Sequence, residues 1–294
     1  DKYDISGKVH IREGEEKIHA MMEDYEGVII WDLPSQIRNR YLKYCFSHSI
    51  RCYMSPKISD IILLGTDRIH LFDTPLLMCR NQGLSMEQRA AKRVLDIIVS
   101  GLGIIVSSPI MLIIAIAVKA YDGGPVFYLQ DRLTYQGKEF RIRKFRSMCV
   151  DSEKNGARLA SKHDSRITPV GHVLRNLHLD ELPQLFNVFM GDMSLVGPRP
   201  ERDVIMQEYE QEIPEFHYRL KVKAGLTGYA QVYGKYNTTP YDKLKLDLFY
   251  IENYSFLLDI KLLFMTVKIF FQKEVSEGVD DNQKNALKDS EDKK

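Results

Sequence analysis

IIVSGLGIIVSSPIMLIIAIAV, running from Ile97 to Val118, is 22 residues without a charge. About 20 apolar residues suffice to cross a bilayer as a helix. Length alone therefore favours a spanning helix. Two details oppose it. Ser107-Ser108-Pro109 sits mid-segment, and a proline inside a helix removes one hydrogen bond and kinks the axis. Serine hydroxyls beside it can take up the freed carbonyls, which makes a bend tolerable in lipid. Both flanks are also basic, with Lys92 and Arg93 before and Lys119 after. Cytoplasmic flanks carry the Lys/Arg excess. If both ends obey that rule, the segment enters and leaves by one face, as a helix–break–helix hairpin broken at Ser108-Pro109. A kinked spanning helix is the competing topology, and a soluble core helix of this purity is disfavoured.

Upstream, residues 81–93 read as a polar linker and 1–85 as a small soluble α/β unit. Val28 to Trp31, Cys52 to Met54 and Ile69 to Phe72 are strand-like. Ile37, Tyr41, Tyr44 and Cys45 share one helical face over 36–47, and Ile58 to Leu64 lies between strands. Alternating elements suggest a parallel sheet. No G-x-G-x-x-G follows a strand, so nucleotide binding is not expected here. The chain opens at Asp1, without methionine or signal peptide, as a fragment of a longer protein would.

Downstream, Gly123-Gly124-Pro125 is a turn, and Val126–Leu129 can pair with Phe140–Phe145 around Gln136-Gly137. Arg132 to Arg146 holds six basic residues and one acid, a pattern that suits phosphates or anionic lipid. Helices are expected within 170–192, over 201–213 and from Phe256 to Phe271. The last is too short and charged to span, and suits either the membrane surface or the core. Gly225-Leu226-Thr227-Gly228 reads as a tight turn with free amides. Residues 274–294, with seven acids and four lysines, read as a disordered tail. The chain of 294 residues allows about two domains. Its net charge of +1 argues neither for nor against nucleic acid, which is not among the expected partners. Cys45, Cys52, Cys79 and Cys149 form no C-x-x-C pair and read as reduced, buried thiols in a cytosol-facing protein.

The candidate chemistry lies in Leu179-Asp180-Glu181-Leu182-Pro183-Gln184. Proline is tolerated in a first helical turn, so a helix should start here, with Asp180 and Glu181 at its N-terminal lip. Free N–H groups and the positive dipole end keep carboxylates ionised and welcome phosphate there. The plain alternative is that Asp180 caps the helix.

Four motifs occur in fixed order: Lys144-Phe145-Arg146-Ser147-Met148, the Leu179–Gln184 stretch, Gly191-Asp192-Met193-Ser194-Leu195-Val196-Gly197-Pro198-Arg199-Pro200, and Gly225-Leu226-Thr227-Gly228. From about Lys92 to about Gln272 the chain resembles the bacterial sugar transferases, the monotopic phosphoglycosyl transferases that start exopolysaccharide, O-antigen or glycoprotein glycans. The resemblance implies transfer of a sugar-1-phosphate from a UDP-sugar to a polyprenyl phosphate such as undecaprenyl phosphate, with release of UMP. It also implies a re-entrant Ser-Pro-broken helix in membrane lipid at the cytoplasmic face of the bacterial inner membrane, and a homodimer. Residues 1–85 resemble the soluble Rossmann-like domain of larger members, whose upstream membrane helices are missing here. The fold class expected is thus α/β: a Rossmann-like unit (1–85), a linker and re-entrant helix (86–121), a mostly helical catalytic domain with a short β-hairpin (122–273), and the tail (274–294).

By the same resemblance Asp180 is the nucleophile, forming a sugar-phosphoryl-Asp180 anhydride that the polyprenyl phosphate then attacks. Glu181 ligates Mg²⁺, which neutralises the diphosphate. Arg175 and Arg199 lead the phosphate-binding candidates, followed by Lys144 and Arg146, and Gln184 completes the substrate-binding set. His163, His172 and His178 lack metal-ligand spacing, so no zinc site is expected. Two positions depart from the family pattern: Thr134 where glycine is frequent and Ala224 where proline is. A non-catalytic, membrane-attached scaffold for polysaccharide assembly is the alternative function.

Overall fold

The structure, a computed structural model, describes residues 4–79, 83–150, 164, 166–235 and 238–270. The acidic tail and His163 lie outside them. The fold mixes helices and strands and divides into two compact units, residues 1–59 and 60–294.

In the first unit, α1 (Glu15–Glu23) precedes a β–α–β crossover of β1 (Gly27–Ile30), α2 (Ser35–Ser47) and β2 (Arg51–Met54). The two strands pair in parallel, Gly27 opposite Arg51. Ile18, Met22, Ile30, Tyr41 and Cys45 form the core, with Ile37 and Tyr44 packed against it. The helical face read from the sequence is therefore the buried one. α3 (Ile58–Leu64) leads into the second unit.

The expected strand at Ile69 does not extend the parallel sheet. β3 (Asp67–Leu71) turns back at Phe72-Asp73 and pairs antiparallel with β4 (Thr74–Met78). A two-residue connection costs far less closure entropy than a crossover, and Phe72 takes the positive φ that such a turn needs. The cysteine expectation also needs correction: Cys45 is buried, but Cys79 and Cys149 are exposed.

α4 (Met86–Asp122) dominates the second unit. Its start overturns the polar linker read from the sequence over residues 81–93. Ser85 and Gln88 form a reciprocal cap, so the helix begins two turns before Lys92. The charges at Lys92 and at Asp96, just beyond the stretch read as linker, face inward. Lys92 donates to Asp259 (2.6 Å) and Tyr250 (3.0 Å), while Asp96 accepts from Ser194 (3.0 Å) and the Leu195 amide (2.9 Å). Where two helices around a break were expected, α4 runs uninterrupted through Pro109. Pro109 cannot donate to the Ile105 carbonyl, and the Ser108 hydroxyl donates to it instead, at 2.8 Å. Ser107 does the same for Gly103. Lys92, Asp96, Ser100, Met111, Ile114 and Val118 form one buried stripe along α4. Val94, Ile98, Leu102, Ile105, Val106, Leu112, Ile113 and Ile116 stand outward and exposed. It is the one helix among the described residues long and apolar enough to cross a membrane.

Next come β5 (Phe127–Leu133) and β6 (Glu139–Phe145), a hairpin with Phe127 opposite Phe145. α5 (Pro169–Asn176) and α6 (Gln184–Met190) flank the dyad. β7 (Ser194–Val196), α7 (Asp203–Glu212), β8 (Gly225–Thr227), α8 (Tyr229–Tyr233), α9 (Pro240–Glu252) and α10 (Phe256–Phe270) complete the unit. Gly225 to Thr227 is not a turn with exposed amides. It is a buried strand, parallel to β7. A Cβ on Gly225 would strike the Gly197 amide, and one on Gly228 the Gly197 carbonyl. The glycines of both motifs serve this backbone approach. α10 buries Asp259 and Leu262 while Leu257, Phe264 and Val267 stay exposed, so it meets both the core and a second medium.

Candidate active site

Asp180 and Glu181 sit on a single 3₁₀ turn, Leu179–Glu181, between α5 and α6. His178 enters the left-handed region (φ 52°) and reverses the chain ahead of them. The flanking Leu179 and Leu182 pack into a cluster with Met111, Ile114 and Val118 of α4, Phe145 of β6 and Leu174 of α5. Two leucines thus pin the turn to the C-terminal half of the apolar helix. α6 starts one turn after Asp180, with Pro183 at its cap and no capping side chain. Asp180 is therefore not the cap.

Asp180 is buried, and among the described residues its carboxylate accepts no hydrogen bond. Its burial and the neighbouring Glu181 charge push its pKa above the usual carboxylate value, against the pull of Lys144, Arg175 and His178. Glu181 behaves oppositely. Burial would raise it, but Arg199 and Lys144 override that and hold it well below the carboxylate range. Lys144 Nζ donates to Glu181 Oε1 at 2.6 Å and Arg199 Nη2 to the same oxygen at 3.2 Å. Oε2 has no partner among the described residues.

The other expected residues divide. Arg175 donates Nε to the Ser147 hydroxyl (2.9 Å), and its charge helps to lower the Asp180 pKa. Arg146 faces elsewhere: it is buried, pairs with Asp122 at the end of α4, and its Nη1 has no partner among the described residues. Gln184 is buried in the first turn of α6. The dyad's company is then two carboxylates against three cations, Lys144, Arg175 and Arg199, an excess of positive charge that favours a diphosphate.

Sequence reading missed the residues that hold this geometry. Asn187, fully buried, accepts from the Arg143 amide (3.0 Å) and donates to the Arg141 carbonyl (2.8 Å), locking α6 to β6. The signal was there: a polar residue inside the apolar run Leu185–Met190. Arg219 pairs with buried Asp247 (2.8 Å) and donates to the Arg199 carbonyl (3.0 Å), fixing the loop that carries Arg199. Arg93 and Lys223 donate to the terminal carbonyls of α6 at Val188, Phe189 and Gly191. No local pattern marks these, because each partner lies tens of residues away.

No group of three or more His, Cys, Asp or Glu side chains forms a metal cage among the described residues. Mg²⁺ rarely needs one, since it keeps waters and takes one or two carboxylates plus substrate phosphates. Glu181, held ionised with Oε2 open, fits that role.

The chain is 44% identical over 232 residues to the UDP-N-acetylgalactosamine-undecaprenyl-phosphate N-acetylgalactosaminephosphotransferase of Aeromonas hydrophila, covering 78% of this chain and 54% of that protein. It is 38% identical over 262 residues to the UDP-glucose:undecaprenyl-phosphate glucose-1-phosphate transferase of Klebsiella pneumoniae, covering 86% and 54%. It is 36% identical over 237 residues to the undecaprenyl-phosphate galactose phosphotransferase of Salmonella typhimurium, covering 74% and 49%. The chain spans about half the length of these relatives. The family profile for bacterial sugar transferases matches residues 87–273, which include α4, the dyad and the Arg199 loop, and the chain belongs to that family.

Proposed function

We propose that this chain transfers a sugar-1-phosphate from a UDP-sugar to a polyprenyl phosphate at the cytoplasmic face of the bacterial inner membrane, releasing UMP. An Asp180 carboxylate oxygen attacks the sugar-side phosphorus. The bond to the bridging oxygen breaks, and UMP leaves with the electron pair. The acyl phosphate conserves the energy of the diphosphate. An oxygen of the polyprenyl phosphate then attacks the same phosphorus and expels the Asp180 carboxylate. Lys144, Arg175 and Arg199 bind and orient the phosphates, and Arg199's planar fork suits two oxygens at once. Glu181 Oε2 would hold Mg²⁺ together with substrate oxygens, and the ion, when bound, neutralises diphosphate charge. The observation that carries this reading is Asp180: buried, without a hydrogen bond among the described residues, and beside a carboxylate that already has its cations. A scaffold would need no such side chain.

The packing also supports a monotopic arrangement. α4 lays one stripe along a single body, from Lys92 on α10 to Val118 on Phe145 and Leu174. Its bare face then lies in lipid, with the dyad at headgroup level. The first unit, with its parallel crossover, is the Rossmann-like accessory domain of larger members, and the assembly is a homodimer. The sugar is open, since the three relatives' names carry three different sugars. The test is UMP release from a panel of UDP-sugars with Mg²⁺ and polyprenyl phosphate, together with trapping of labelled sugar phosphate on the protein. Asp180→Asn should lower release by at least about 10³-fold and abolish the label. No release from the wild type with any sugar would sink the enzyme reading, and release without label would favour direct attack.

A further inference from the structure

Lys243 stands in the first turn of α9, where the helix dipole disfavours a cation. Asp247, one turn later, lies on the same side of that helix. Asp247 pairs with Arg219 of the 3₁₀ segment Pro214–Lys221 at 2.8 Å, and Arg219 donates to the Arg199 carbonyl at 3.0 Å. Lys243 thus faces the base of the loop whose Arg199 side chain reaches Glu181. Its ammonium makes no hydrogen bond or ion pair among the described residues. The acids around it are engaged elsewhere. Asp247 is held by Arg219, and Glu201 lies between Arg219 (3.6 Å) and Arg132 (3.8 Å). Asp242 binds Lys245 at 2.6 Å and Thr239 at 3.0 Å. Glu181 is shared by Lys144 and Arg199. Lys243 is nonetheless half-buried. Burial pulls its pKa below the ordinary lysine value; Glu201 and Asp247 oppose that, and Arg219 and Arg199 add to it. A half-buried ammonium beside two guanidiniums, with no acid of its own, is completed by an anion.

Position tells which anion. The phosphorus that Asp180 attacks must lie at the dyad, where Lys144 and Arg175 act. The second phosphate of a UDP-sugar, which departs in UMP, extends away from that point. Arg199 carries positive charge in the same sense, from its tip on Glu181 to its carbonyl on Arg219, and Lys243 continues the line. The departing phosphate gains charge as the bond breaks, since a phosphate monoester carries about −1.5 to −2 near neutral pH. A cation there stabilises the leaving group where charge develops. We infer that Lys243 binds the nucleotide-side phosphate of the UDP-sugar and holds the departing UMP. The inference deepens the transferase reading and takes the identity of the nucleotide from it.

The experiment titrates UMP into the full chain with Mg²⁺ by calorimetry. Lys243→Met should weaken UMP binding by at least about tenfold, the effect of losing one charge-assisted contact. Lys243→Arg, which keeps the charge, should retain most of the affinity. In UMP-release assays Lys243→Met should raise the KM for the UDP-sugar and leave that for polyprenyl phosphate unchanged. On the wild type, UMP should slow acylation of Lys243 by an N-hydroxysuccinimide ester and leave exposed Lys138 unaffected, a peptide mass-spectrometry readout that needs no variant. An unchanged UMP affinity in Lys243→Met, a raised KM for polyprenyl phosphate instead, or a Lys243 acylated as fast with UMP as without overturns the assignment. So does a wild type that binds no UMP. UMP held through Lys243 by a wild type that releases none from any UDP-sugar would refute the transferase reading and leave the nucleotide-phosphate site standing.

Discussion

A carboxylate that attacks phosphorus must be ionised, reachable and unengaged, and burial opposes the first of these. Asp180 meets the conflict by standing near Lys144, Arg175 and His178, which pull its raised pKa back down. This gives a signed expectation. Lys144→Met removes a lowering charge, so Asp180 should hold its proton to higher pH and the acid limb of the pH–rate profile should move up. A pH profile of UMP release checks it, and an unmoved or lowered limb contradicts it. Glu181 has the opposite linkage. Its folded pKa is depressed, so its pairing with Lys144 and Arg199 stabilises the fold above about pH 4.5 and is lost as pH falls below. Both partners are partly exposed, which makes that contribution small. The dyad's importance was legible in its sequence context. The contrast between an unencumbered Asp180 and a doubly paired Glu181 was not, because Lys144 and Arg199 lie 36 residues before Asp180 and 18 after Glu181.

At the scale of elements, the site depends on joints between segments distant in sequence. Asn187 is one: Asn187→Ala leaves the Arg143 N–H and the Arg141 carbonyl without their partner in a dry contact. The loss should be about 2–4 kcal/mol, read by denaturant unfolding, with activity falling as α6 loosens. The two departures from the family pattern form another joint. Thr134 Oγ1 accepts from the Ala224 amide at 3.1 Å and donates to the Asp192 carbonyl at 3.1 Å. Proline at 224 would have no amide to donate, and glycine at 134 no oxygen to receive it. Paired changes at the two positions should therefore compensate each other. Thr134→Gly alone should cost about 1–3 kcal/mol by orphaning a buried N–H. Thr134→Gly/Ala224→Pro should cost less than the sum of the single changes, and additivity in a double-mutant cycle would refute the pairing. The hairpin and the helices around the dyad were readable from turn residues and apolar spacing. β8 was not, since Gly225-Leu226-Thr227-Gly228 carries turn composition and becomes a strand only because Gly197 lets β7 approach.

For the molecule as a whole, the question is how 37 helical residues sit against a bilayer. A straight helix of that length is about 54 Å long, well beyond the roughly 30 Å of hydrocarbon. Yet Lys92 near one end and Val118 near the other both pack on the same unit. In a background lacking the four native cysteines, single cysteines at Ala91 and Ala120 should both react with an impermeant maleimide from the cytoplasmic side. Reaction from opposite sides would establish a spanning helix instead.

The sequence by itself determined that an uncharged segment of membrane length exists, that it holds a proline, that two carboxylates share one turn and that cations flank them along the chain. These are local properties of composition and spacing. Only the tertiary structure decided which face of α4 is buried, which cations reach Glu181, that Arg146 turns to Asp122, and that Asp180 has no hydrogen bond among the described residues. Those outcomes depend on side chains brought together from far apart in the chain, and neither period nor propensity encodes such meetings.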